Sequence, residues 1–182
     1  LSALPAFERL QIEEGLAFPE DSAGRLMQRH FVAIPAYWTV GQTIDYMRRT
    51  ADLPDEFYEI FVVDPSHHPM GTVPLYRAMR TNRPVLIGDI METDPILMPV
   101  GMDQEDVAYQ FQQYDLTSAA VIDDSNRLIG VIMVDDVVDV IHQEAEEDIM
   151  RLAGVGENDI FSTVAETTKR RFLWLLINLG TA

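Results

Sequence analysis

The sequence predicts a mixed α/β (α+β) protein made of two tandem β-α-β-β-α units followed by a long connecting helix. Three observations carry this. The chain repeats itself, and an internal repeat decides architecture before any local pattern does. Leu26-Met27 followed by Val32-Ala33-Ile34-Pro35 returns 64 positions later as Ile90-Met91 followed by Ile96-Leu97-Met98-Pro99. Phe61-Val62-Val63-Asp64 followed by Met70-Gly71-Thr72-Val73 returns 59 positions later as Ala120-Val121-Ile122-Asp123 followed by Ile129-Gly130-Val131-Ile132. Second, within each copy the apolar spacing switches between strand and helix periods. Third, 182 residues allow one or two small domains. A unit of about 55–60 residues holds too little core to stand comfortably alone, so the two copies are expected to share one.

Each element has a local reason. A short apolar strand opens each copy and ends at a proline, Pro35 or Pro99. A helix follows; in the second copy Val107, Phe111 and Tyr114 fall at i, i+4 and i+7, which is one helical face. The two offsets differ by five residues, placed most simply in the first copy around Thr50 to Tyr58. Next come an apolar strand (Ala119 to Ile122), a polar hairpin turn (Asp123-Asp124-Ser125-Asn126) and a second strand (Leu128 to Met133). From Val134 a helical pattern runs to about Leu152, where Gly154 and Gly156 supply a stop signal.

Composition narrows the function classes. Thirteen basic against thirty acidic residues give a formal charge of −17. Such a surface repels nucleic acid and anionic membrane and attracts cations. Cysteine is absent, which removes disulfides, thiolate zinc sites and cysteine nucleophiles. No nucleophile motif, phosphate loop or glycine-rich dinucleotide fingerprint appears, so no enzyme is expected. The nine methionines suit core positions. His67-His68 lies in a Pro65-Ser66…Pro69 turn and reads as an exposed hairpin tip or a two-histidine metal site. Neither His30 nor His142 falls into a metal-ligand spacing motif. The chain opens on Leu1 and stops within an apolar run, Phe172 to Leu179, so a piece of a longer protein is expected. That run is shorter than the roughly 18 apolar residues that span a bilayer.

The helix from Val134 carries the clearest chemical pattern. At 100° per residue, Asp136, Asp139 and Glu147 share one face, flanked by Glu144 and Glu146, with Asp148 further round. Val138, Ile141, Ala145, Ile149 and Leu152 form the apolar stripe. No Lys or Arg lies between Leu128 and Met150. Unpaired acids at i, i+3 and i+4 repel by a few tenths of a kcal/mol each. A solvated helix face tolerates that, and a divalent cation relieves it. Carboxylate oxygens are hard ligands and favour magnesium over zinc. Mg²⁺ needs only one or two of them because it keeps much of its water.

These residues also carry a resemblance. Ile90-Met91 with Pro95, the helix Asp103 to Tyr114, the strand pair around Gly130 and the following Asp136 resemble a cystathionine-β-synthase-type (CBS) domain, as a tandem pair over about residues 22–143. Phe18-Pro19-Glu20-Asp21-Ser22-Ala23-Gly24-Arg25-Leu26-Met27 resembles the junction leading into the CBS pair of MgtE-type magnesium transporters. Glu144-Ala145-Glu146-Glu147-Asp148-Ile149, then Leu152-Ala153-Gly154-Val155, resembles the start of that family's plug helix. Lys169-Arg170-Arg171 with Trp174 resembles the approach to its first transmembrane helix, a basic and aromatic pattern suited to the cytosolic membrane face.

The resemblance implies a domain plan: residues 1–21 ending an upstream helical domain, 22–85 and 86–143 as two CBS domains, 144–170 as connecting helix, and 171–182 beginning a transmembrane helix. It implies a homodimer through the CBS domains, joined to its own pore at the cytoplasmic face of the membrane. It implies Mg²⁺ as the ligand that favours a compact, closed state. Asp136, Asp139, Glu144, Glu147 and Asp148 match the family's metal positions, as do Glu105 and Asp115. Glu105 also reads as an acid favoured by a helix N-terminus, and Asp115 as a turn residue. Nucleotide sensing is the alternative. CBS nucleotide sites use Gly, two apolar residues, Ser or Thr, and Asp three further on. The second copy has Gly130, Met133 at the hydroxyl position, and Asp136; the first has Gly71, Pro74 and Arg77. On this reading ATP or another adenine nucleotide meets Asp136 at its ribose and Arg77 at its phosphate.

Overall fold

The computed structural model describes residues 18–153, without the side chains of 147, 148 and 151–153. The expectations for 1–17 and 154–182, including the approach to a transmembrane helix, lie outside the described residues. The chain divides into a unit ending at Ile141 and a second from His142.

The elements follow the repeat. Helix α1 (Ala23–Leu26) precedes β1 (Ala33–Pro35), α2 (Val40–Arg49), β2 (Glu59–Val63), β3 (Pro69–Pro74), α3 (Leu75–Arg80) and β4 (Glu92–Thr93). Then come β5 (Leu97–Pro99), α4 (Gln104–Tyr114), β6 (Ser118–Ile122), β7 (Leu128–Met133) and α5 (Val134–Ala153). One sheet has the order β1-β2-β3-β4 and the other β5-β6-β7. In each, the first strand runs parallel to the second and the second antiparallel to the third. Registers repeat position for position: Ile34 faces Val62 as Met98 faces Val121. Both hairpins carry a register irregularity at the same place, Val62/Val63 and Val121/Ile122.

The starts of α2 and α4 are set by side-chain caps. Thr39 accepts from the Gln42 amide, and the Gln42 side chain accepts from the Thr39 amide, a closed capping box. Asp103 does the same job in the second copy, accepting from the Glu105 amide at 2.9 Å. Between α2 and β2 lies the long connection 50–58, against 115–117 in the second copy. The buried face of α4 is Gln104, Val107, Ala108 and Phe111, while Tyr114 is 52% exposed. This departs from the i, i+4, i+7 stripe for a local reason. Asp115 turns left-handed (φ 50), the Leu116 amide bonds back to the Phe111 carbonyl, and Leu116 packs on the core instead.

Strand alternation builds three cores. In β2, Ile60 and Val62 face the first copy's own core, while Phe61 and Val63 face outward to the second copy. In β6, Ala119 and Val121 serve the second copy's core, and Ala120 meets Phe61's side of the junction. The two sheets therefore share a central apolar layer that also includes Leu128, Val131 and Met133. The expected shared core is present.

The short lead-in before each copy packs on the other copy. Ala23 and Gly24 donate to the Met102 and Val100 carbonyls of the second copy. Ile87 and Gly88, 64 positions on, donate to Trp38 and Ala36 of the first. Gln28 bridges Val131, and Glu92 of β4 pairs with Thr72 of β3. The copies exchange matching arms, and each arm crosses the boundary between 85 and 86 that the repeat alone suggests.

Candidate functional site

The exchanged arms reach the positions where the sequence placed nucleotide contacts. Arg77, on α3, donates through Nη1 to the Ile90 carbonyl at 3.1 Å and pairs through Nη2 with Glu92 Oε1 at 2.6 Å. Asp136, on the first turn of α5, accepts from Gln28 Nε2 at 2.8 Å. Asp136 corresponds to Arg77, and Gln28 to Glu92, under the repeat. Close approach here depends on the two glycines. A Cβ at Gly130 would meet Met27 Sδ at 2.5 Å, and one at Gly71 would strike the Glu92 carbonyl. The arm thus covers Gly130 and occupies the Asp136 carboxylate.

A cavity of about 190 Å³ opens between the copies. Phe61, Pro95, Ile96 and Leu116 give it apolar walls, Thr72 and Ser118 supply hydroxyls, and Glu59, Glu92 and Asp94 supply carboxylates. Ser118 donates to Glu59 Oε2 at 2.7 Å. Burial pushes the Glu59 carboxyl above the usual range, against the Ser118 bond, and nearby Glu92 adds to it. An adenine base suits those walls. Its phosphates would have to win Arg77 from Glu92 while passing three acids.

The acidic face is distributed over several elements. Asp136 is half-buried, and its carboxyl is raised first by burial and then by Asp135 and Asp139, against the Gln28 bond. Asp139 lies exposed one turn on, and Glu144 is half-buried in the second unit. The side chains of Glu147 and Asp148 lie outside the described residues. Glu105 is exposed in the first turn of α4, and Asp115 is exposed at the left-handed end of that helix. The structure brings Asp136 and Asp139 onto one helix face and leaves Glu105 and Asp115 at opposite ends of α4. Among the described residues no group of three or more His, Asp or Glu is gathered tightly enough to hold a metal within the chain. The donor set still suits Mg²⁺, which binds through one or two carboxylates and its own water.

Sequence reasoning read His67-His68 as an exposed hairpin tip or a two-histidine metal site and did not foresee the contacts of His68, whose ring bonds Asp64 and reaches the Ser125 carbonyl of the other hairpin. The matching turn, where Arg127 bonds Asp123, is the signal that could have found it.

Among the described residues no helix is long and apolar enough to cross a membrane.

Comparison with known proteins agrees with this architecture. Residues 87–143 match the CBS domain family. The chain is 34% identical over 166 residues to the magnesium transporter MgtE of Enterococcus faecalis, covering 91% of this chain and 37% of that protein. It is 32% identical over 181 residues to the magnesium transporter MgtE of Bacillus subtilis, covering 98% of this chain and 40% of that protein. The chain therefore spans well under half the length of these relatives. A crystal structure of the cytosolic domain of the Mg²⁺ channel MgtE in complex with ATP superposes with a TM-score of 0.70 at 32% identity, covering 75% of this chain and 55% of that one. Repeat, fold and relatives converge: this chain is a tandem CBS-domain region of the MgtE type.

Proposed function

We propose that this chain is the magnesium-sensing regulatory region of a magnesium transporter or channel, and that it catalyses no reaction. Mg²⁺ held by Asp136 and Asp139, with Glu105, Asp115, Glu144, Glu147 and Asp148 as further ligands, favours a compact state that closes the pore. The region works as a homodimer through its CBS domains, at the cytoplasmic face of the membrane, and acts on its own transmembrane pore. One observation carries the reading: the head of α5 concentrates carboxylates with no Lys or Arg from Leu128 to Met150. That repulsion is what a cation relieves. Each ion shifts the equilibrium only by its differential affinity for the compact state, so several weak sites act together. For dimerisation, Tyr76 and Met79 on α3 and Val134 and Val138 on α5 are exposed apolar groups on corresponding helices of the two copies.

The test is a Mg²⁺ titration read by thermal melting and scattering, at constant ionic strength, with Asp136→Asn/Asp139→Asn alongside. A ligand at a hundred times its Kd stabilises the bound state by about 2.7 kcal/mol. Stabilisation and a smaller radius in the parent, lost in the variant, are expected. An equal response in both would show general screening and sink the proposal.

A second reading rests on the inter-copy cavity and on the ATP complex of the structural neighbour. In it, an adenine nucleotide enters the cavity, with its phosphate on Arg77. Stabilisation by ATP or AMP without any Mg²⁺ response would favour it.

A further inference from the structure

The two hairpin tips are built alike and differ in the side chain that the capping aspartate binds. In each, an aspartate carboxylate caps the turn: Asp64 Oδ1 accepts from the Ser66 and His68 amides, and Asp123 Oδ1 from the Ser125 and Arg127 amides. His67 and Asn126 take the left-handed position, with φ 69 and 57. The second carboxylate oxygen then binds the residue after it. In the second copy that residue is Arg127, with Nη2 at 2.6 Å; in the first it is His68, with Nδ1 at 2.9 Å. A permanent cation in one turn is a titratable ring in the other.

The rings and tips also touch. The Leu128 amide donates to the His67 carbonyl at 2.9 Å, and His68 Nε2 lies 3.2 Å from the Ser125 carbonyl oxygen. Both neighbours of the ring are acceptors. A neutral imidazole donates from one nitrogen only, so Nε2 would present a lone pair to the Ser125 oxygen. Only the imidazolium satisfies both contacts.

We propose that His68 is a proton-dependent tie between the two repeats, joining Asp64 of its own hairpin to the Ser125 carbonyl of the other when the ring is charged. The charged groups around it are Asp64 on its own turn and Asp123, Asp124 and Arg127 on the opposing turn, where the Arg127 guanidinium is held on Asp123. Asp64 raises the proton affinity of His68 above its ordinary value, and Asp123 adds to it. Asp64 is itself held below the usual carboxylate range, so it stays ionised throughout. The tie is fully made below the ordinary histidine pKa and is lost as pH rises through the higher folded value. This holds whether or not the chain senses magnesium.

Ring ¹⁵N spectra of the whole chain, with the hydrogen-exchange protection factor of the Leu128 amide, test it. Between about pH 5.5 and about pH 8, the span in which histidine changes charge, protection should fall severalfold as the His68 ring loses its proton. His68→Arg should keep protection high at both pH values, and His68→Gln should keep it low. The proposal is overturned if the ring is neutral at the lower pH. It is equally overturned if His68→Gln retains the pH dependence of the parent.

Discussion

Arg77 and Asp136 occupy one structural position in the two repeats, and Glu92 and Gln28 occupy another. In the first copy the pair is a guanidinium and a carboxylate; in the second it is an amide and a carboxylate. The exchanged arm delivers the contact in both places, so the backbone settles where the contact forms and the side chains settle its charge. The first copy is left neutral at this point and the second negative, with Asp135 and Asp139 nearby. Under the proposed function, this difference in charge is what would draw a cation to the head of α5 rather than to α3.

The largest effect should come from the position where the copies differ most in size. Phe61 and Ala120 correspond, and Phe61 is 2% exposed in the shared layer, edge-on to Phe31. Phe61→Ala should cost about 3–5 kcal/mol. Urea denaturation should show both copies unfolding in one transition, because both border that layer; two separate transitions would break the pseudo-symmetric picture.

Next come the glycines beneath the arms. At Gly71 a Cβ meets backbone, which cannot step aside; at Gly130 it meets the Met27 side chain, which partly can. Gly71→Ala should cost about 3 kcal/mol and Gly130→Ala about 1 kcal/mol. Equal costs would mean that the arms seat alike.

The smallest effect concerns Glu59 and Ser118, which also correspond and meet each other across the cavity. Glu59 has a raised folded pKa, so its unfavourable contribution is absent below the ordinary glutamate value and appears as pH rises through the folded one. Glu59→Gln should therefore raise the melting temperature near neutrality and leave it unchanged in acid. A variant whose melting tracks the parent at every pH would remove Glu59 from the electrostatics of the cavity.

The acid face of α5 was legible because helical spacing alone places Asp136 and Asp139 together. The engagement of Asp136 by Gln28 was not, since those residues are far apart in sequence and meet only through the exchanged arm. The same holds for His68: its turn was readable, but its bond to Ser125 depends on how the two hairpins pack. Tyr114 shows the reverse error, a residue with the right spacing exposed because the helix ends there.

By itself, the sequence determined the repeat, the order of strands and helices within each unit and the charge of the last helix. Those follow from local periodicity and caps, which act over a few residues. Only the tertiary structure decided which copy each lead-in arm serves. Both copies offer the same strand edges and helix ends to an arm, so nothing local distinguishes its own copy from its neighbour. The choice is made by packing: Met27 over Gly130 and the Glu92 backbone over Gly71, each closing the other copy's core.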